Sequence, residues 1–357
     1  MSISALDKVR DRNIPLNALI ELTHRCNLRC CHCYLPSKDS PGELSAGQFK
    51  EFLDQMADAG TLFITFSGGE VLLRDDFFEI AAYARKRHFS IRIFTNGTLV
   101  SEELADEIKD LNPYAVEISV YGKDSKTHDS ITKVSGSFHK SIGAIKLLKQ
   151  RGIEVVMKTP LMTQNVAQYK EIISMANRLE VKYELNTIIS PGLDGSCEQL
   201  SYRIGELELS EIFSDTSLNP DIIEKHEVID APEKREDIPM CAAGRSSFVV
   251  SPVGEISPCA VLRVPFGDVK KQPFSEIWNS PAAGKIRATK FTDLRTCSQC
   301  ELSAYCTRCP GMALIEDGDL LGPARFCYEM ARVSKSIHER NTPRRKVSTE
   351  YKRLETG

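Results

Sequence analysis

No apolar run in the 357 residues approaches the roughly 18 consecutive positions that a bilayer-spanning helix needs. The N-terminus offers Lys8, Arg10, Asp11 and Arg12 without an apolar stretch beside them, so a secretory signal is missing as well. Both absences point to the cytoplasm. An excess of one charge is also lacking: 46 basic side chains stand against 49 acidic ones, a net charge of −3. Such a balance gives no electrostatic reason to expect nucleic acid or a membrane surface as partner. With 41% hydrophobic and 27% charged residues, neither a disordered nor a fibrous class fits. At this length about two globular domains are expected.

What the chain has in quantity is cysteine. Twelve thiols in a cytoplasmic protein long enough to bury its own core are not needed as disulfide staples. In a reducing compartment, clustered cysteines more often bind metal or do chemistry. Here Cys26, Cys30, Cys31 and Cys33 form one knot, and Cys241, Cys259, Cys297, Cys300, Cys306, Cys309 and Cys327 crowd the last third. Only Cys197 lies between.

Between residues 15 and 190, apolar β-rich runs alternate with helical spacing. Strands are predicted over 16–22, 62–66, 91–94, 115–120, 153–157 and 183–189. Ser45 with Gln48 is a capping-box signal for the first helix between them, and Gly152 closes the fourth at a C′ position. Six strands with five intervening helices predict an α/β fold on a parallel sheet, either open or curled into an incomplete barrel. In both forms a ligand belongs at the loops following the strands' carboxyl ends. Residues 191–240, acidic and carrying Pro220, Pro232 and Pro239, read as a connection. The expected domains are therefore 14–225 and 236–335, with a basic polar tail over 338–357.

The first knot, Cys26-Asn-Leu-Arg-Cys30-Cys31-His-Cys33, directly follows the first predicted strand. Three thiolates at this spacing can take three corners of a cubane [4Fe–4S] cluster and leave one iron open. A zinc site completed by Cys31 or His32 is the alternative. Cys26, Cys30 and Cys33 resemble the signature of the radical S-adenosylmethionine (SAM) enzymes, whose open iron chelates the amino and carboxylate groups of SAM. Phe66-Ser67-Gly68-Gly69-Glu70 resembles that family's Gly-Gly-Glu motif. The resemblance sets Gly68, Gly69 and Glu70 near the SAM amine, with Glu70 offering its carboxylate. Thr95-Asn96-Gly97 and Ser119 match positions that line the pocket or meet the SAM ribose. Tyr121-Gly122 departs from the pattern, since many relatives carry aspartate before that glycine. His128-Asp129 and Gly136-Ser137-Phe138 fit it again, with His128 read as structural and Lys158 as a strand-end lysine.

The C-terminal array resembles the SPASM extension of the same enzymes, which holds auxiliary [4Fe–4S] clusters. A hairpin signal around Phe248 and the Pro252-Val-Gly254 turn, and a helix around Trp278, belong to the resemblance. It assigns Cys297, Cys300, Cys306 and Cys327 to one cluster, and Cys241, Cys259 and Cys309 to another with three thiolates. A structural zinc ribbon is the plain alternative. Two residues separate Cys306 from Cys309 where the family usually has three, so a rearranged ligand set stays open. Cys31 and Cys197 are left as ordinary thiols.

The resemblance implies a partial (β/α)6 radical SAM barrel followed by a small α+β cysteine-rich SPASM domain. It implies SAM and [4Fe–4S] clusters as cofactors, one cluster binding SAM and two auxiliary. Reductive cleavage of SAM to a 5′-deoxyadenosyl radical would lead to oxidative modification of a substrate. A peptide, as for maturases of ribosomally made peptides, is the first expected substrate. A small molecule such as a tetrapyrrole comes second, and a sulfatase-type maturase third. A plain iron–sulfur electron carrier would have no use for Gly68-Gly69-Glu70. An electron donor such as flavodoxin or ferredoxin is implied. Because only 15 residues precede the first predicted strand, a peptide substrate is expected to need either a stand-alone peptide-recognition protein or the enzyme's own surface.

Overall fold

The computed structural model describes residues 5–35, 41–218 and 238–341. Six parallel strands pair in chain order: β1 (Asn17–Thr23), β2 (Phe63–Gly68), β3 (Ser90–Thr95), β4 (Ala115–Ser119), β5 (Val155–Pro160) and β6 (Lys182–Asn186). Each overlaps its predicted run. The order decides between the two forms left open by the sequence. A doubly wound sheet reverses direction at a switch point, whereas this one winds in a single sense and right-handed crossovers carry its helices to one face. The other face becomes an interior. That is why Glu21 and Thr23 are as buried as Ile20 and Leu22 in β1, and Glu117 as Val116 and Ile118 in β4.

Among the described residues β6 does not close on β1. Instead β1 takes β7 (Ser247–Val250) as a parallel partner, in register from Asn17↔Ser247 to Ile20↔Val250. From β7 the sheet continues antiparallel into β8 (Glu255–Ser257) and β9 (Gly267–Asp268). The expected hairpin forms, and it extends the barrel sheet rather than building one of its own.

The helices are α1 (Ala5–Asp11), α2 (Ala46–Asp58), α3 (Phe77–Lys86), α4 (Glu102–Asp110), α5 (Ser125–Thr132), α6 (Ser137–Gln150), α7 (Tyr169–Arg178), α8 (Glu206–Ser214), α9 (Phe274–Trp278), α10 (Pro281–Ala288), α11 (Pro310–Asp317) and α12 (Arg325–Asn341). The capping box forms as predicted: Gln48 N donates to Ser45 Oγ at 3.3 Å, and Ser45 N donates to Gln48 Oε1 at 3.0 Å. Phe52 of α2 meets Phe274 of α9 at 5.5 Å between ring centres, and Phe274 and Trp278 pack on Phe248 of β7. Trp278 Nε1 also donates to the Asn13 carbonyl at 2.6 Å. This aromatic cluster ties the C-terminal region to the barrel, each buried ring contributing about 1.5–3 kcal/mol.

Helix α8 falls inside the stretch read as a connection, and α12 carries on into the segment expected to be tail. Residues 342–357, and Pro220 and Pro232, lie outside the described residues. Among the described residues no helix is long and apolar enough to cross a membrane.

Candidate functional site

The carboxyl ends of the barrel strands open onto a cavity of about 410 Å3. Cys26, Cys30 and Cys33 line it from the loop after β1. That loop is pinned to α5, with Arg29 N and Cys31 N donating to the carbonyls of Thr132 and Ile131 at 2.9 and 3.0 Å. Burial pushes the Cys30 thiol up to about 12, and the neighbouring Cys33 and Cys26 add to it. The three sulfurs are therefore near one another, and every one of the twelve cysteines is a free thiol.

Gly68 and Gly69 line the same cavity, but the atoms that demand glycine there belong to the protein. Gly68 has φ +137°, and a Cβ on it would lie 2.1 Å from the Thr23 carbonyl oxygen. One on Gly69 would lie 2.3 Å from that of Arg25. The turn after β2 thus runs against the start of the cysteine loop. Gly69 N donates to Thr23 O at 2.7 Å, and Glu70 N to Arg25 O at 2.9 Å.

The Glu70 carboxylate is 1% exposed and does not line the cavity. Oε1 accepts from Thr95 Oγ1 at 2.7 Å and Leu72 N at 3.2 Å, and Oε2 from Asn96 N at 2.7 Å. Burial raises its carboxyl above the ordinary range while these donors pull the other way. Glu70 therefore fixes the turn after β3, where Thr95 and Asn96 line the cavity. Asn96 Nδ2 in turn donates to Asn27 Oδ1 at 2.8 Å and reaches Cys26 Sγ at 4.0 Å. One chain of contacts joins the two motifs to the cysteine loop.

Ser119 lines the cavity beside Tyr121. Burial pushes the Tyr121 hydroxyl well up; it lies by the Cys30 thiol and hydrogen-bonds with Ser119. Sequence reasoning recorded Tyr121 only as a departure, since nothing local in Tyr-Gly signals a contact with a cysteine ninety positions earlier. His128 is a brace: its Nδ1 accepts from Tyr121 N at 3.0 Å, and burial lowers the ring to about 4, so it is neutral. Asp129 caps α6, accepting from Gly136 N, Phe138 N and Ser137 Oγ at 2.7, 2.9 and 2.8 Å. Lys158 lines the cavity and is held by Glu117 at 2.8 Å and Glu184 at 3.2 Å, over the Phe94 ring.

The C-terminal cysteines fall into two neighbouring sets. Cys297, Cys300, Cys306 and Cys327 ring a second hollow of about 540 Å3. Burial pushes the Cys306 thiol up to about 12, with Cys327, Cys297 and Cys300 adding to it. Cys241, Cys259 and Cys309 raise one another in the same way, burial leading in each case. Cys327 also stands beside Cys309, at the seam between the sets. Cys31 lies close enough to raise Cys30 but contacts Gln164 and does not line the cavity, and Cys197 is exposed.

Among the described residues no group of three or more His, Cys, Asp or Glu side chains is arranged to hold a single metal ion. Cys26, Cys30 and Cys33 instead line one hollow, and Cys297, Cys300, Cys306 and Cys327 another. Backbone N–H groups already point at cysteine sulfurs, from Leu28 to Cys26 at 3.4 Å, Ala243 to Cys241 at 3.4 Å and Leu262 to Cys259 at 3.2 Å. Donors aimed at sulfur stabilise thiolates and are a known influence on iron–sulfur clusters. A donor set of sulfur alone, ringed and fed by backbone N–H groups, fits polynuclear iron–sulfur clusters.

Residues 20–176 match the radical SAM superfamily and residues 241–301 the SPASM iron–sulfur cluster-binding domain. The chain is 31% identical over 313 residues to the antilisterial bacteriocin subtilosin biosynthesis protein AlbA of Bacillus subtilis, covering 83% of this chain and 67% of that protein. It is 28% identical over 341 residues to the AdoMet-dependent heme synthase of Methanosarcina barkeri, covering 88% and 97%. In fold it resembles Streptococcus suis SuiB bound to its precursor peptide SuiA, with a TM-score of 0.68, 18% identity and coverage of 90% and 78%.

Proposed function

The chain belongs to the radical SAM superfamily and carries its SPASM extension, and from that membership we propose that this enzyme oxidatively modifies a peptide in the cavity above its sheet. In this reading Cys26, Cys30 and Cys33 hold the cluster that binds SAM. Cys297, Cys300, Cys306 and Cys327 hold one auxiliary cluster, and Cys241, Cys259 and Cys309 the other. Bound there, the first cluster and SAM would supply the radical chemistry that removes hydrogen from the substrate. The chain's own part is positioning and exclusion of water. Thr95, Asn96 and Ser119 present polar groups to SAM from the strand ends. Gly68 and Gly69 let the β2 turn pass close beneath the cysteine loop, and Glu70 locks Asn96 in place.

The charge of the cavity wall carries the choice of substrate class. A tetrapyrrole brings several carboxylates and calls for free cations. Lys158 is the cation on the described wall, and Glu117 and Glu184 already hold it. His32, also on the wall, is lowered to about 4 by burial and is neutral. A peptide, mostly uncharged along its backbone, suits this wall better. The relative AlbA, named for bacteriocin biosynthesis, supports the same reading. The match to nearly the whole heme synthase keeps a tetrapyrrole as the second reading.

Anaerobic reconstitution should give about twelve iron and twelve sulfide per chain, three cubane clusters' worth. With a low-potential reductant and SAM, a short peptide encoded beside this gene should lose hydrogen as 5′-deoxyadenosine accumulates. Turnover of a tetrapyrrole and not of the peptide would overturn the peptide reading. Zinc in place of iron at the C-terminal cysteines would overturn the auxiliary clusters.

A further inference from the structure

Arg308 stands between Cys306 and Cys309, half-buried, and its guanidinium is anchored on one side only. Nε donates to the Gly322 carbonyl at 3.0 Å, and Nη2 donates to the carbonyls of Leu320 and Gly322 at 2.5 and 2.6 Å. Nη1 is buried with no hydrogen-bond partner of its own. A buried donor without a partner is costly and needs a reason. The reason lies in what the guanidinium faces. It walls the hollow ringed by Cys297, Cys300, Cys306 and Cys327. Asp319, on the same wall, is paired with Arg295 at 3.3 Å rather than with Arg308. Burial raises the Cys297 thiol, and the nearby Arg308 charge leads in pulling it back; the same charge acts behind other neighbours at Cys306, Cys241 and Cys309.

We propose that Arg308 sets the reduction potential of the cluster held by Cys297, Cys300, Cys306 and Cys327, its guanidinium donating to the Cys297 sulfur and placing a fixed positive charge on the thiolate ring. The inference rests on the reading of these cysteines as cluster ligands. Reduction adds one electron and no proton, so the reduced cluster carries one more negative charge. A cation and an N–H donor stabilise that state and raise the potential. Partial burial keeps the charge from being fully screened. Arg308 is thus a positioning and tuning residue for an electron-transfer centre.

Reconstituted holoenzyme and the variants Arg308→Gln and Arg308→Lys test this, with each cluster's electron paramagnetic resonance signal followed in a potentiometric titration. In Arg308→Gln the reduction equilibrium of the Cys297 cluster should shift about tenfold toward the oxidised form, a potential about 59 mV lower for one electron, and further than that of the Cys241 cluster. The Cys26 cluster should keep its potential. Arg308→Lys keeps the charge but cannot span the two carbonyls and the thiolate, so it should fall between. Unchanged potentials in a fully loaded Gln variant would overturn the inference alone. An equal fall in every cluster would overturn it too, because that marks general loosening. Should the Gln variant lose iron, the Lys variant decides: a lowered potential supports the inference and an unchanged one overturns it. Zinc in the C-terminal cysteines of the wild type would overturn the ligand reading, and this inference with it.

Discussion

Glu70 is buried, and its carboxylate is engaged by the protein itself. Its two carboxylate oxygens accept three hydrogen bonds, from Thr95, Leu72 and Asn96. A Glu70→Gln substitution keeps the shape but turns one acceptor into a donor. That donor would then face either the Asn96 N–H or the Leu72 N–H inside the protein. An unsatisfied buried pair of this kind costs about 1–3 kcal/mol. The expected outcome is a loss of that size in unfolding stability, measured by urea titration of the reconstituted protein, together with weaker SAM binding as Asn96 shifts. If SAM affinity falls while stability is unchanged, the carboxylate contacts SAM directly and the brace is disproved. The motif was legible in the sequence as Gly-Gly-Glu. The direction in which Glu70 points was not, because it depends on the β3 turn 25 residues away.

At the scale of elements, local signals survived and pairings over long distances did not announce themselves. The alternation of β-rich runs with helical spacing located all six barrel strands, and Ser45 with Gln48 located the start of α2. Short α5 and α8 went unnoticed because polar residues such as Lys126, Asp129 and Glu211 blur their apolar periodicity. The parallel pairing of β7 with β1 joins segments more than 200 residues apart and has no periodic signature. The β2 turn lies between these cases, since its glycines are visible in sequence but their reason is a contact with the end of β1. Gly69→Ala would press a Cβ on the carbonyls of Arg25 and His24, at 2.3 and 2.5 Å. Overpacking of this kind costs about 1–3 kcal/mol, and here it must be relieved by moving the segment that leads into Cys26. Iron analysis of the reconstituted variant should show a loss of about four iron per chain, one cubane's worth, with the C-terminal signals intact. Full iron content and normal SAM cleavage would refute the close-approach role of this glycine.

Across the whole molecule, one buried ion pair joins the C-terminal region to the first barrel strand. Arg263 Nη2 donates to Glu21 Oε1 at 2.6 Å, and Tyr34, next to Cys33, donates its hydroxyl to the same oxygen at 3.3 Å. His24 Nε2 lies 3.4 Å from Oε2. Glu21 is fully buried, and burial alone would push its carboxyl up. The His24 hydrogen bond and the Arg263 charge outweigh burial and hold it below the ordinary value. A depressed carboxyl stabilises the fold above its unfolded pKa of about 4.3, and that contribution is lost as pH falls through the folded value. Arg263→Met would remove the main counter-charge and leave Glu21 ionised in the interior at neutral pH. Breaking a buried pair from one side costs about 3–5 kcal/mol. Without Arg263, burial raises the Glu21 carboxyl, so in the variant the group takes up a proton on mild acidification and the cost shrinks. The quantity to read is the difference between the two proteins. Urea unfolding should therefore show a large stability gap at neutral pH that narrows toward the carboxylate range. A gap that is absent, or that widens on acidification, would mean that Glu21 and Arg263 do not hold the two regions together.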